Sequence, residues 1–164
     1  MQVSPLQRIS PVHRPAGAGS RCNILGVEHT TKESSSENAS GQLVVEAVIP
    51  SGVGLPLHKH ANEDEFFYVL AGALHFEGEG IDGSVSVEPG GSISAPRGLM
   101  HSFLNKGPEE ATVLITVSPG SAAEKMFEEL ADVCASTPDM RAAAVKVIAI
   151  CAGYGVIFAP PQTK

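Results

Sequence analysis

Apolar and polar residues alternate along most of this chain, and the period is two. Between Leu43 and Ile49, the residues Leu43, Val45, Ala47 and Ile49 share one face of an extended strand, while Val44, Glu46 and Val48 share the other. Glu46 marks the second face as the outer one. Strands are predicted over Arg21–Glu28, Gln42–Pro50, Leu55–Lys59, Phe66–Leu70, Ala73–Glu77, Ser84–Glu88, Ser92–Ala95, Ser102–Asn105 and Ala111–Ser118. Turn residues punctuate the intervals, and many short strands at regular spacing argue for a β-sandwich or barrel. Thr30–Gly41 interrupts the pattern. Rich in Ser, Glu and Lys with almost no apolar residue, it is expected to be a solvated, mobile loop and the first segment cut by a protease.

Beyond Ser118 the period becomes helical. Ser121-Ala-Ala-Glu124 has the form of a capping box, so a helix is predicted from there to about Cys134, with Met126, Phe127, Leu130 and Val133 on its apolar face. Thr137 and Pro138 read as the N-cap and first residue of a second helix that Gly153 would end. Both helices are expected to pack on the barrel exterior as structural cover, because an apolar helical stripe is ordinarily core.

Composition narrows the function classes. At 164 residues, 43% hydrophobic and 18% charged, the chain suits one folded core rather than two. The expected division is an N-terminal extension over 1–20, a barrel over 21–120, and a helical segment with a closing strand over 121–164 in the same domain. A formal net charge of −7 with no Lys/Arg cluster gives a nucleic acid or an anionic membrane no electrostatic hold. A small molecule is the expected partner. Met1–Gly19 has no continuous apolar core of a signal peptide, and no later stretch is long enough to span a bilayer. Cys22, Cys134 and Cys151 fall in no CxxC or Cys/His spacing, so they are expected to be small buried hydrophobes rather than disulfide partners or ligands, in a cytoplasmic protein.

The candidate chemistry lies in two Gly- and Pro-framed segments. In the first, Gly52 to Gly72, His58 and His60 are two apart and project from one strand face, and Glu65 opens the next apolar strand after a polar turn. In the second, Gly90 to Asn105, Pro96 and Gly98 punctuate a turn and His101 begins a strand. Three imidazoles and one carboxylate can therefore converge on a divalent transition metal; this donor set admits Fe, Mn, Ni, Cu, Co or Zn. Because the imidazoles must be neutral to coordinate, metal affinity is expected to fall below about pH 6. His13, His29 and His75 lie outside both segments and are expected not to be ligands.

The two segments resemble the cupin superfamily, whose motifs run G-x5-H-x-H-x4-E-x6-G and G-x5-P-x-G-x2-H-x3-N. Every named position is filled, by Gly52, His58, His60, Glu65 and Gly72, then by Gly90, Pro96, Gly98, His101 and Asn105. A chance match has a probability on the order of 10⁻¹³ per register. The resemblance implies an all-β jelly-roll barrel with the two C-terminal helices packed outside, and His58, His60, Glu65 and His101 as metal ligands. The flanking segments Leu43–Pro50, Ala111–Pro119, Phe127–Leu130 and Tyr154–Phe158 look like the small single-domain cupins grouped as quercetin dioxygenase-like. Homodimerisation is common among cupins.

If Glu65 and His101 point inward, strand parity brings Phe67, Val69 and Phe103 inward with them. Two phenyl rings near a metal suit a planar aromatic or polyketide-like substrate, and equally suit a packed barrel core. Four protein ligands on an octahedral ion leave two positions for a chelating substrate, and Glu65 is also a candidate general base. Three functions follow. The first, implied by the resemblance, is oxygenation of an enolic or aromatic small molecule. The second uses the metal as a Lewis acid without O₂, in an isomerase, cyclase or decarboxylase. The third is a non-enzymatic cupin that binds a small ligand.

Overall fold

The computed structural model describes residues 10–160, so the first part of the expected N-terminal extension lies outside it. Within them the chain passes through β1 (Ser20–Ile24), β2 (Val27–Glu33), β3 (Leu43–Ile49), β4 (Gly54–His60), β5 (Asp64–Ala71), β6 (Leu74–Gly78), β7 (Val85–Val87), β8 (Ser92–Ala95), β9 (His101–Leu104) and β10 (Ala111–Ser118). Two helices, α1 (Ser121–Ser136) and α2 (Met140–Gly153), and a last strand, β11 (Val156–Phe158), complete it. The strands form two antiparallel sheets, ordered β1-β2-β3-β10-β5-β8 and β11-β4-β9-β6-β7. This is the cupin jelly roll.

The alternation seen in the sequence is the packing. Leu43, Val45, Ala47 and Ile49 are buried, and their partners across the ladder include Val113 opposite Ala47 and Ile115 opposite Val45. On the next strand Val69 faces Val113, and Phe67 faces Ile115. The main core lies between the sheets. A second apolar cluster joins Met126 and Leu130 of α1, Val147 and Cys151 of α2, Ile24 of β1 and Val156 of β11. The helices thus bridge one end of each sheet instead of covering a sheet face.

Four local expectations need correction. Arg21–Glu28 is not one strand but a tight hairpin: Leu25 and Gly26 take φ values of 49° and 89°, and Asn23 Oδ1 accepts from Gly26 N at 3.0 Å. The polar segment Thr30–Gly41 is not a loop throughout. Thr30, Thr31 and Glu33 pair with β3, and Thr30 is buried, because β-branched threonines suit a pleated strand whatever their polarity. The remainder is tied down by its own polar groups. Glu37 holds Arg14 at 2.7 Å and accepts from Ser34 N at 2.9 Å, while Asn38 donates to Ser34 O and Gln42 O.

The capping box does not form. Gly120 is the N-cap of α1 without a side-chain cap, and the Glu124 carboxylate instead accepts from Ser35 Oγ at 2.6 Å and Ser35 N at 3.2 Å. A tertiary donor outcompetes the local one. Asp139, not Thr137, caps α2, accepting from Arg141 N and Ala142 N. The Thr137 hydroxyl is taken by Lys146 at 3.0 Å, and the left-handed turn that follows falls at Gly155, φ 82°, rather than at Gly153. No helix among the described residues is long and apolar enough to cross a membrane. The three cysteines are free.

Gly72 turns the chain between β5 and β6 at φ 68°, where a Cβ would lie 2.8 Å from both Ala111 Cα and Glu110 O. Gly72→Ala should therefore destabilise the barrel by at least the ordinary left-handed cost of about 1–3 kcal/mol. Urea denaturation, with the midpoint lowered at unchanged slope, is the measurement.

Candidate metal centre

Each motif residue is placed by a strand. His58 and His60 alternate with Leu57 and Lys59 on β4, so both imidazoles turn inward. His101 opens β9 directly opposite His58. Glu65 comes from the other sheet, on β5, between Ala95 of β8 and Val117 of β10. The turn Pro96–Gly98 closes the site: Gly98, at φ 85°, donates its N–H to His60 O at 2.7 Å. Beside it Asp64 accepts from Arg97 N at 2.9 Å and holds the Arg97 guanidinium at 2.6 Å. The two motifs are therefore joined by backbone and by charge next to the ligands. Asn105 is buried and structural, donating to Ile49 O and Glu109 O.

One ligand atom from each of His58, His60, Glu65 and His101 lies within 4.8 Å of all the others, and all four residues are buried. Glu65 Oε2 is 3.0 Å from His101 Nε2 and 3.1 Å from His60 Nε2. Two of the three rings are also hydrogen-bonded on their far side, while His60 Nδ1 has no hydrogen-bond partner among the described residues. His58 Nδ1 lies 2.8 Å from Pro56 O and His101 Nδ1 lies 3.1 Å from Leu99 O, while His60 Nδ1 faces the buried carboxylate of Glu63 at 3.6 Å. A carbonyl can only accept, so His58 carries hydrogen on Nδ1 and presents the Nε2 lone pair inward, while His101, held at Nδ1 by Leu99 O, has its Nε2 on Glu65 Oε2. That is the outer-shell arrangement that orients histidine metal ligands.

Whether a metal fits is answered by His58. Its Nε2 is buried and has no hydrogen-bond partner, a costly condition that a cation beside Glu65 Oε2 would relieve. The donor set, three imidazole nitrogens and a carboxylate oxygen, suits a divalent transition metal. The residues fit the group.

The charges are already polarised for it. Burial, with the neighbouring His101, lowers His58 to about 4, which keeps it neutral. For Glu65, burial pushes upward, yet hydrogen bonds from His101 and His60 win and hold the carboxyl well below its usual range. Burial likewise opposes charge on His60, but Glu65 and Glu63 outweigh it and raise the imidazole above its ordinary value.

Above the cluster lies a cavity of about 140 Å³. His60 and Glu65 share its wall with Phe67 and Phe103, and α1 and α2 close it with Met126, Phe127, Leu130 and Val147. Val69 is fully buried in the core and does not line it. Phe67, Phe76 and Phe103 pack at centroid separations of 5.1, 5.8 and 5.9 Å. Two residues at the site escaped the sequence reading: Glu63 and His29. Parity with Glu65 was a usable signal for Glu63. His29 lies on β2 and lines the cavity.

Two outcomes follow. His60→Ala should remove most bound metal while leaving the barrel folded, and Glu63→Gln should weaken metal affinity by about 10- to 100-fold, both read by competition with a chromophoric chelator. A proton held on His60 must also leave before metal binds. Since His60 is raised, the loss of affinity on acidification should begin above the ordinary imidazole value of about 6.5, and metal binding near neutrality should release protons. Calorimetry in buffers of differing ionisation enthalpy counts them; proton release absent at pH 7 would contradict this account.

The comparisons agree with the architecture. The cupin-domain family profile matches residues 44–117, from β3 to β10. A predicted oxalate decarboxylase from Thermotoga maritima superposes with a TM-score of 0.56 at 26% identity, over 66% of this chain and 98% of that one. An RmlC-like cupin from Shewanella frigidimarina gives 0.55 at 18% identity, over 67% and 92%. KdgF from a Halomonas species gives 0.50 at 24% identity, over 57% and 81%. The latter two, at their identities, speak for the fold alone. No curated protein matches the sequence. A cupin-domain match thus runs from residue 44 to residue 117 through both metal motifs, within a jelly roll shared with a solved structure, so this stretch of the chain is a cupin domain.

Proposed function

We propose that the protein is a metal-dependent cupin enzyme that oxygenates a small enolic or aromatic molecule. One observation carries the reading: a buried three-histidine, one-glutamate cluster meets an apolar cavity through His60 and Glu65. His58, His60 and His101 through Nε2, and Glu65 through Oε2, are the residues that would hold the ion. Once bound, a divalent metal supplies Lewis acidity and, for a redox-active ion, electrons for O₂.

The chain's own residues do the rest. Phe67 and Phe103 offer ring faces to a planar substrate, and Met126, Phe127 and Leu130 keep water from it. An apolar cavity of about 150 Å³ takes up a benzene-sized ligand, so the cavity volume of about 140 Å³ favours a molecule of about one ring over a multi-ring flavonoid. Glu65 is assigned a second role as proton acceptor. His60 and His101 hold it strongly anionic, and a cation at Oε2 would hold it lower still, so base action would require the carboxylate to loosen from the ion and accept the proton on the freed oxygen.

A second reading, Lewis-acid decarboxylation or isomerisation without O₂, draws support from the Thermotoga relative, described as a predicted oxalate decarboxylase. The two readings part on oxygen. Metal-loaded enzyme should consume O₂ with a panel of small enols and catechols and stop under argon; CO₂ release from oxalate or an enol acid, equal in air and argon, would establish the second reading instead. Glu65→Gln should lose about 10²- to 10⁴-fold in rate per bound metal if the base role is real. Unchanged activity per metal would remove that role.

A further inference from the structure

Outside the metal cluster, His29 is the nitrogen-bearing side chain of a cavity wall that is otherwise carbon with the sulfurs of Met126 and Cys151. It lies on β2 opposite Ala47 of β3 and shares the wall with Ala47, Phe67 and Phe127. Glu65, on β5, is separated from it in the sheet by β3 and β10, so the cavity runs between the two. Nδ1 of His29 sits 3.1 Å from Val27 O. A carbonyl only accepts, so the hydrogen is on Nδ1 and Nε2 carries a lone pair. Among the described residues no hydrogen bond to Nε2 accompanies that contact, and the residue is partly buried. The ring is held from its other side by Phe127 of α1, with centroids 5.5 Å apart and planes inclined by 36°. Burial lowers the imidazole to about 4, which keeps it a neutral acceptor at physiological pH.

An acceptor fixed in an apolar wall selects its ligand. A molecule that fills the cavity without offering a hydrogen there displaces water from Nε2 and returns no bond, and sites of this kind reject analogues that lack the donor more strongly than they reject small changes of shape. We propose that His29 is a specificity-determining residue, its Nε2 accepting a hydrogen bond from a hydroxyl or N–H at the end of the substrate that faces away from His58, His60, Glu65 and His101. The substrate class is then a molecule of about one ring with an apolar body, a donor at one end and a metal-binding oxygen at the other. The second half of that description rests on the metalloenzyme reading above; the acceptor role of His29 does not.

Phenol and toluene, equal in shape and differing by the donor, are the probes. Their affinities for the full chain are measured by calorimetry, with Zn(II) bound and after chelator treatment, in wild type, His29→Phe and His29→Gln. The phenol-to-toluene affinity ratio should fall by about 3- to 10-fold in His29→Phe, the worth of one neutral hydrogen bond, and be largely kept in His29→Gln, whose carbonyl still accepts. In wild type the ¹⁵N resonance of His29 Nε2 should move with phenol and stay with toluene, a readout that holds even if His29→Phe fails to fold. A ratio unchanged in His29→Phe, a stationary ¹⁵N resonance, or binding of neither probe at millimolar concentration overturns the proposal. Metal content is assayed on the same samples. Wild type that discriminates phenol through His29 but binds no metal would sink the metalloenzyme reading and leave this one standing.

Discussion

The structure turns on a carboxylate from one sheet buried against imidazoles from the other. Isolated burial of Glu65 would be prohibitive, yet its Oε2 lies within about hydrogen-bonding distance of two ring nitrogens, at 3.0 and 3.1 Å. That contact ties β5 to β4 and β9 across the barrel. It also leaves a deficit. His58 Nε2 looks into the same space without a partner, and a cation is the simplest group that satisfies an anionic oxygen and several lone pairs at once.

The surroundings hold that arrangement in place. Pro56 O and Leu99 O hold the Nδ1 edges of His58 and His101, so ring flips that would turn Nε2 away are opposed there, and the Glu63 carboxylate stands 3.6 Å from His60 Nδ1. Gly98 binds the second motif to His60 O, and Arg97 with Asp64 repeats the link at the surface. Beneath the cluster Phe67, Phe76 and Phe103 fill the barrel. Space remains only on the side of the helices, which therefore do more than shield the sheets. By supplying Met126, Phe127 and Leu130 they decide what can lie beside Glu65, and by packing on His29 they orient the one polar group away from the cluster.

Spacing along the chain was enough to name His58, His60, Glu65 and His101, because strand parity converts a two-residue interval into a shared face and the turn residues Gly52, Pro96 and Gly98 convert two distant segments into neighbouring strands. The alternation at Leu43–Ile49 likewise determined which face of β3 is core. What failed was whatever depended on a competing partner elsewhere. Glu124 was a sound capping residue until Ser35, 89 positions away, offered a hydroxyl, and Thr137 lost its capping role to Lys146. The polarity of Thr30–Gly41 suggested water, while the β2–β3 ladder and its own side chains gave that polarity protein partners. Glu63 and His29 were silent for the same reason. A lone acid in a turn or a histidine on a strand acquires a role only from what stands opposite, here the Nδ1 edge of His60 and an apolar cavity lined by two helices. The sequence by itself determined the four-residue cluster that could hold a metal and the strands that carry it, since both follow from local periodicity; the cavity, its size and its second polar group were decided by the tertiary structure, because they exist only between elements far apart in the chain.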